Sequence, residues 1–148
     1  MIPFIYAAQE KCVYQATAAV LVNGTTVFTV QGGPIIIVSL GAVCVTANNA
    51  TASTLKWRAD GTDGSAADIC AATTTLANVA AGTIVAAVPG TTATAAAIYA
   101  NGIGITGTVN VIVPAGIITN VVGTGSTTGT WRQFIRYIPL TPDSTVSG

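Results

Sequence analysis

The sequence contains no histidine, and only ten of its 148 residues are charged, five Lys or Arg and five Asp or Glu. Without histidine the commonest general base and metal-ligating side chain is missing. Charged residues make up 7% of the chain, against about 25% in ordinary domains. From Ile69 to Trp131 there is not one. With a net charge of zero and no basic patch, neutralisation of nucleic-acid phosphates is not expected as a mode of binding. Long apolar runs are lacking too. Gly, Thr, Asn and Pro interrupt the hydrophobic stretches every few residues, short of the roughly 18 apolar residues a spanning helix needs. No membrane partner is therefore expected. Met1 to Glu10 has no basic n-region, and Pro3 breaks its short apolar run, so it does not read as a secretory signal. The three cysteines, Cys12, Cys44 and Cys70, show neither CxxC nor metal spacing. They read as small hydrophobes in a reduced compartment, with one disulfide and a leftover thiol as the alternative.

What the chain does contain is apolar. Hydrophobic residues make up 51%, and a chain of this length forms one domain burying roughly 70% of its unfolded surface. Zero net charge removes the self-repulsion that keeps monomers apart, which suits an assembling protein. Turn residues punctuate short β-branched runs. Asn23-Gly24 predicts a hairpin between the segment ending Ala18-Ala-Val-Leu-Val22 and a strand over Thr25–Gln31. Alternation there puts Thr26, Phe28 and Val30 on one face and Thr25, Val27, Thr29 and Gln31 on the other. Gly32-Gly33-Pro34 reads as a bend or bulge. Ile35–Val38 and Ala42–Val45 read as buried strand, and Asn48–Ser53 as a polar turn. Thr54–Ala59 is a strand with Leu55 and Trp57 on one face and Lys56 and Arg58 on the other. Asp60–Ser65 is a surface loop.

Ala66–Leu76 is ambiguous, with a short helical turn over Ala67–Ala71 as one option. Thr83–Val88 is a strand closed by Pro89-Gly90. Thr91–Ala100 reads as helix, loop or edge strand. Thr108–Val113 and Ile117–Val122 form a pair across Pro114-Ala115-Gly116, and Gly123–Gly129 is a loop before the last strand. The sum is an all-β fold, an antiparallel sandwich or barrel of about eight to ten short strands. Residues 1–12 make an extended N-terminal arm, 13–142 a single β-domain and 143–148 a short polar tail. No fixed repeat period appears, which argues against a solenoid.

Few groups offer chemistry. Asp60, Asp63 and Asp68 lie at offsets of three and eight with no later Glu, unlike a calcium loop, so no metal site is assigned. Gly102-Ile-Gly-Ile-Thr-Gly107 matches G-x-G-x-x-G in letters. The strand-like Thr108–Val113 follows it, whereas a dinucleotide site needs a helix there, so no cofactor is assigned. The sequons Asn23-Gly-Thr25 and Asn49-Ala-Thr51 read as turns. The thiols have no histidine to activate them. No catalytic residue, small-molecule substrate or enzymatic activity is expected.

The remaining candidates are interface residues. Gly129–Leu140 holds Trp131, Phe134 and Tyr137, three of nine aromatics, together with Arg132 and Arg136. As a strand it shows Trp131, Gln133, Ile135 and Tyr137 on one face and Arg132, Phe134, Arg136 and Ile138 on the other. Both faces are at least half apolar, which suits packing on each side. Trp and Arg are the residues that most often carry interface energy, although arginines also simply reach water from an apolar strand. Lys56, Arg58, Arg132 and Arg136 are therefore candidate contacts. So are Ile2, Phe4 and Tyr6 of the arm, because apolar termini order when tied down.

Taken together, Val27-Phe-Thr-Val-Gln-Gly-Gly-Pro-Ile-Ile-Ile-Val38, Thr54-Leu-Lys-Trp57 and Gly129-Thr-Trp-Arg-Gln-Phe-Ile-Arg-Tyr-Ile-Pro-Leu-Thr-Pro-Asp143 resemble the small capsid decoration (cement) proteins of tailed bacteriophages. The resemblance spans most of the chain in order. It implies a non-enzymatic virion protein, made in the bacterial host cytoplasm, that binds the capsid exterior as a homotrimer and stabilises the lattice. Its partners would be the major capsid protein and copies of itself. Another virion part, such as a head or tail fibre base or a tail tube subunit, is the alternative. A secreted adhesin or pilus-like subunit is the third.

Overall fold

The computed structural model describes residues 9–88, 93–100, 107–124 and 128–148. Twelve strands run in order: β1 (Lys11–Tyr14), β2 (Ala19–Val20), β3 (Thr26–Gln31), β4 (Ile35–Cys44), β5 (Thr54–Gly61), β6 (Ala66–Asp68), β7 (Ile84–Ala86), β8 (Ala97–Tyr99), β9 (Val111–Val113), β10 (Gly116–Gly123), β11 (Thr130–Pro139) and β12 (Thr145–Ser147). No helix occurs among the described residues. The proposed helical turn at Ala67–Ala71 is replaced by β6 and a bridge, and Thr91–Ala100 contributes the edge strand β8.

Two antiparallel sheets pack as a β-sandwich, and no closed barrel forms. The first has seven strands. Its spine is β1-β11-β4-β7-β8, with β2 joining β11 beside β1 and β9 joining β4 beside β7. The second has five, in the order β12-β3-β10-β5-β6. Both ends of the domain drawn from sequence fall in or beside strands. β1 begins at Lys11, inside the expected arm, and β12 pairs with β3 where a polar tail was expected.

Two local turn readings meet a long-range correction. Asn23-Gly24 does turn the chain, with Gly24 at φ +79° and the Thr25 amide donating to Val22 C=O at 3.3 Å. Yet β2 pairs with β11 in one sheet and β3 with β10 in the other, so the turn crosses between layers and makes no hairpin. Likewise β9 pairs with β4, and β10 with β3 and β5. Pro114-Ala115-Gly116 is a sheet-to-sheet corner. A Cβ on Gly116 would sit 2.1 Å from the Asp60 carbonyl oxygen, so only glycine fits that approach.

Gly32-Gly33-Pro34 is a third such corner, between β3 and β4. Gly32 holds φ +74°, and a Cβ there would lie 1.9 Å from the Asp143 carbonyl oxygen. The corner is tied to the turn between β11 and β12, where Ser144 Oγ donates to Pro34 C=O at 2.9 Å.

The core lies between the sheets. β11 contributes Trp131, Gln133, Ile135 and Tyr137, and β5 contributes Leu55, Trp57 and Ala59, the faces expected from alternation. Two bulges rephase other strands. Val38 is the extra residue where Arg136 pairs with Ser39 and Tyr137 with Ile37. Ile35 and Ile37 therefore face inward before the bulge, and Leu40, Ala42 and Cys44 after it. Opposite Ile118 and Thr119, β3 carries Val27 as the extra residue. Val27, Phe28 and Val30 are all buried, against the simple two-face reading of Thr25–Gln31.

Some polar groups in the core are paired across the layers. Trp57 Nε1 donates to Gln133 Oε1 at 2.8 Å, joining β5 to β11. The Val146 amide donates to Tyr137 Oη at 3.2 Å, joining β12 to β11. Asn48, expected in a polar surface turn, is buried. Its Nδ2 donates to Leu76 C=O at 2.9 Å, and its Oδ1 accepts the Thr128 and Gly129 amides at 3.2 and 3.0 Å. Three connections are thus held by one side chain.

Candidate interaction surface

A sandwich has two outer faces, and here they differ sharply in chemistry. Residues paired across antiparallel strands point to the same side, so the register assigns each face. The outer face of the five-stranded sheet carries Lys56 and Arg58 on β5, Asp60 beside them and Asp68 on β6. Lys56 Nζ meets Asp68 Oδ2 at 2.6 Å, and Arg58 Nε meets Asp60 Oδ1 at 2.9 Å with Asp68 Oδ1 at 4.0 Å. These groups satisfy one another on a solvated surface, where such pairs contribute about 0–1 kcal/mol.

The outer face of the seven-stranded sheet is mostly apolar. Opposite the buried face of β11 stand Arg132, Phe134, Arg136 and Ile138, paired respectively with Val43, Gly41, Ser39 and Ile36 of β4. Phe134 lies over Gly41, where a Cβ would come within 2.6 Å of its ring. Tyr14 pairs with Phe134, Ile112 with Ile36, and Val20 with Thr130. Tyr14 is 67% exposed, Ile112 66%, Val20 44% and the nearby Val45 44%. Four of the seven large exposed hydrophobics among the described residues therefore belong to this one face, and exposed apolar groups gathered in one patch mark an interaction surface.

The sequence-derived candidates divide between the two faces. Arg132 and Arg136 share the apolar face, and Lys56 and Arg58 the charged one, so the structure does not bring the four together. Arg136 is ion-paired with Glu10 just before β1, whereas Arg132 has no ion-pair partner among the described residues. Within the described chain β11 is covered by a second sheet on one side only: Arg132 and Arg136 are exposed, and Phe134 and Ile138 are half-buried. Ile2, Phe4 and Tyr6 lie outside the described residues, as do Pro89, Gly90 and 102–106 of the glycine motif; Gly107 is followed by the strand β9. Tyr14, Ile112 and Val20 were missed, because an apolar side chain reads as core until the register shows which way it points.

Remaining groups add little reactive chemistry. Cys12 is exposed, Cys44 and Cys70 are buried, and all three are free thiols. Burial pushes both Cys44 and Cys70 above the ordinary thiol pKa, partly offset by backbone hydrogen bonds at Asn48 and Trp57 respectively, which lowers their nucleophilicity at neutral pH. Asp63 is held below the usual carboxylate range by the hydroxyl and amide of Ser65. No group of three or more His, Cys, Asp or Glu among the described residues is placed to hold a metal ion. A groove of about 300 Å³ runs between β6 and β9, lined by apolar side chains including Ala59, Ile69, Val111 and Pro114. Its one ionisable lining group, Asp68, is engaged by Lys56. In comparison with known proteins, the chain matches no family model, no curated protein and no solved structure.

Proposed function

We propose that this chain is a virion structural protein, a decoration (cement) protein that binds the outer surface of a phage capsid lattice and stabilises it as a homotrimer. The observation that carries this reading is the asymmetry of the sandwich. One outer face carries the ion-paired Lys56, Arg58, Asp60 and Asp68 beside Ile117; the other offers aromatic and aliphatic side chains with Arg132, which has no ion-pair partner among the described residues. A free monomer would expose that apolar face to water at a cost of about 25 cal/mol per Å², and an assembled particle covers it. The resemblance of Val27–Val38, Thr54–Trp57 and Gly129–Asp143 to decoration proteins supplies the kind of assembly. The protein would act without catalysis, its partners being the major capsid protein and its own copies.

Mass spectrometry of purified particles followed by an electron-microscopy map tests the proposal. Density for the sandwich on the outside of the shell, at three-fold positions, is the expected result. Copies located in the tail would transfer the chain to the alternative reading, a tail tube or fibre-base subunit. A free monomer with no particle association would overturn both.

A further inference from the structure

Arg132 and Arg136 lie on the same outward side of β11, about 13 Å apart at the usual rise per residue, with Phe134 midway between them. Their surroundings differ. Nε and Nη2 of Arg136 both meet Glu10 through one carboxylate oxygen, Oε1, and Oε2 has no partner among the described residues. Arg132 is exposed and has none among them either. The face therefore holds an unused acceptor at the Arg136 end and an unused cation at the Arg132 end.

The strip between these ends is apolar and low. At its centre the row Tyr14, Phe134 and Gly41 runs across the strands. Gly41 has no side chain and Phe134 lies over it, so the middle of the row admits a close approach. On one side the row of Arg132 adds Val43 and Ile84. On the other the row of Arg136 adds Cys12 and Ser39.

A two-fold axis laid along the central row, in the plane of contact, turns a second copy face down on the first. Because residues 132 and 136 are equally far from 134, this axis sets Phe134 against its counterpart and each copy's Arg132 above the other's Arg136 and Glu10. An ionised carboxylate accepts through both oxygens, so Glu10 bridges Arg136 of its own chain and Arg132 of the second. The two contacts are reciprocal, as an isologous interface requires. Stacked sheets lie about 10 Å apart, a gap closed by long side chains approaching from opposite sides. The outer face of the five-stranded sheet complements this one less well, since Lys56, Arg58, Asp60 and Asp68 already satisfy one another.

We propose that a second copy of this chain occupies the apolar face, seven-stranded sheet against seven-stranded sheet, with Glu10 of each copy bridging to Arg132 of the other. This goes beyond the decoration reading. Neighbouring three-fold positions of a closed lattice are related by two-fold axes, so the contact is of the kind that joins one trimer to the next.

Charge reversal tests it, read by analytical ultracentrifugation under reducing conditions that keep the exposed Cys12 from cross-linking. The full chain should sediment as an even number of copies. Arg132→Glu sets a carboxylate against Glu10, and Glu10→Arg adds a cation between Arg136 and Arg132. Each variant alone should lose the pairing and sediment at half the mass, with circular dichroism confirming its fold. Mixed in equal amounts, the two variants should regain the pairing, because the reversed charges meet across the axis while the second contact stays native. A full chain that sediments as a monomer or a lone trimer would overturn the proposal. So would single variants that keep the full mass, or a mixture that fails to regain it. Binding to purified shells is scored separately. A chain unpaired in solution that binds shells, and loses that binding in Arg132→Glu, gives the face to the capsid protein; the decoration reading then stands and the pairing falls. Pairing restored by the mixture in a chain that never binds shells does the reverse.

Discussion

The buried bond from Trp57 Nε1 to Gln133 Oε1, 2.8 Å long, couples the two sheets through strands that are distant in sequence, and a double-mutant cycle measures it. In Gln133→Leu the indole N–H, on a ring with no exposed surface, loses its acceptor. Leaving a buried donor unsatisfied costs about 1–3 kcal/mol. In Trp57→Phe the Gln133 carbonyl is left unsatisfied instead, and the smaller ring leaves a void, for about 2–4 kcal/mol in all. The double variant removes both polar groups together, so it should lose less than the sum of the two by about 1–3 kcal/mol. Urea unfolding followed by far-UV circular dichroism reads all four proteins. At an m-value of about 2 kcal/mol per M, a 2 kcal/mol loss moves the midpoint by about 1 M, and thermal midpoints should fall by about 4–8 °C. Strict additivity, a coupling under about 0.5 kcal/mol, would refute the claim that this bond ties the layers together.

Four other perturbations have defined outcomes. Asn48→Ala removes three hydrogen bonds, to Leu76, Thr128 and Gly129, two of them buried, and should cost about 2–4 kcal/mol in the same urea assay; a loss under about 0.5 kcal/mol would show that these connections are held by other contacts. At neutral pH a thiol reagent should modify Cys12 alone, and Cys44 and Cys70 only after unfolding; mass spectrometry of the labelled chain reads this. Because burial raises the folded pKa of Cys44 and Cys70, the folded state keeps protons that the unfolded state loses. Their contribution is present below the unfolded thiol pKa, about 8.5, and fades as pH rises above it toward the folded values. A urea midpoint that rises between pH 8 and 10 would contradict the sign. Arg132→Ala combined with Arg136→Ala should weaken assembly in sedimentation, whereas Arg58→Ala, on the polar face, should leave it unchanged. Equal effects would dissolve the distinction between the faces.

By itself the sequence determined the class of fold and the inward side of its best-patterned strands. Alternation is a property of the backbone, so Trp131, Gln133, Ile135 and Tyr137 on β11, and Leu55 and Trp57 on β5, face the core as read. Sparse charge and the absence of histidine likewise narrow the chemistry open to the chain. Turn residues such as Asn23-Gly24 and Pro114-Ala115-Gly116 marked correctly where the chain bends, because φ preference is local.

Which strands the bends connect was decided by the tertiary structure. β2 and β3, and β9 and β10, separate into different layers because each finds its backbone partners elsewhere in the chain. The bulges at Val38 and Val27 shift the phase of burial in β4 and β3 by one residue, which alternation alone does not reveal. Only the register separates Phe134, Tyr14 and Ile112 from the core. Hydrophobicity is a property of a side chain, but exposure depends on which sheet stands behind it, and among the described residues one apolar face has no second sheet to cover it.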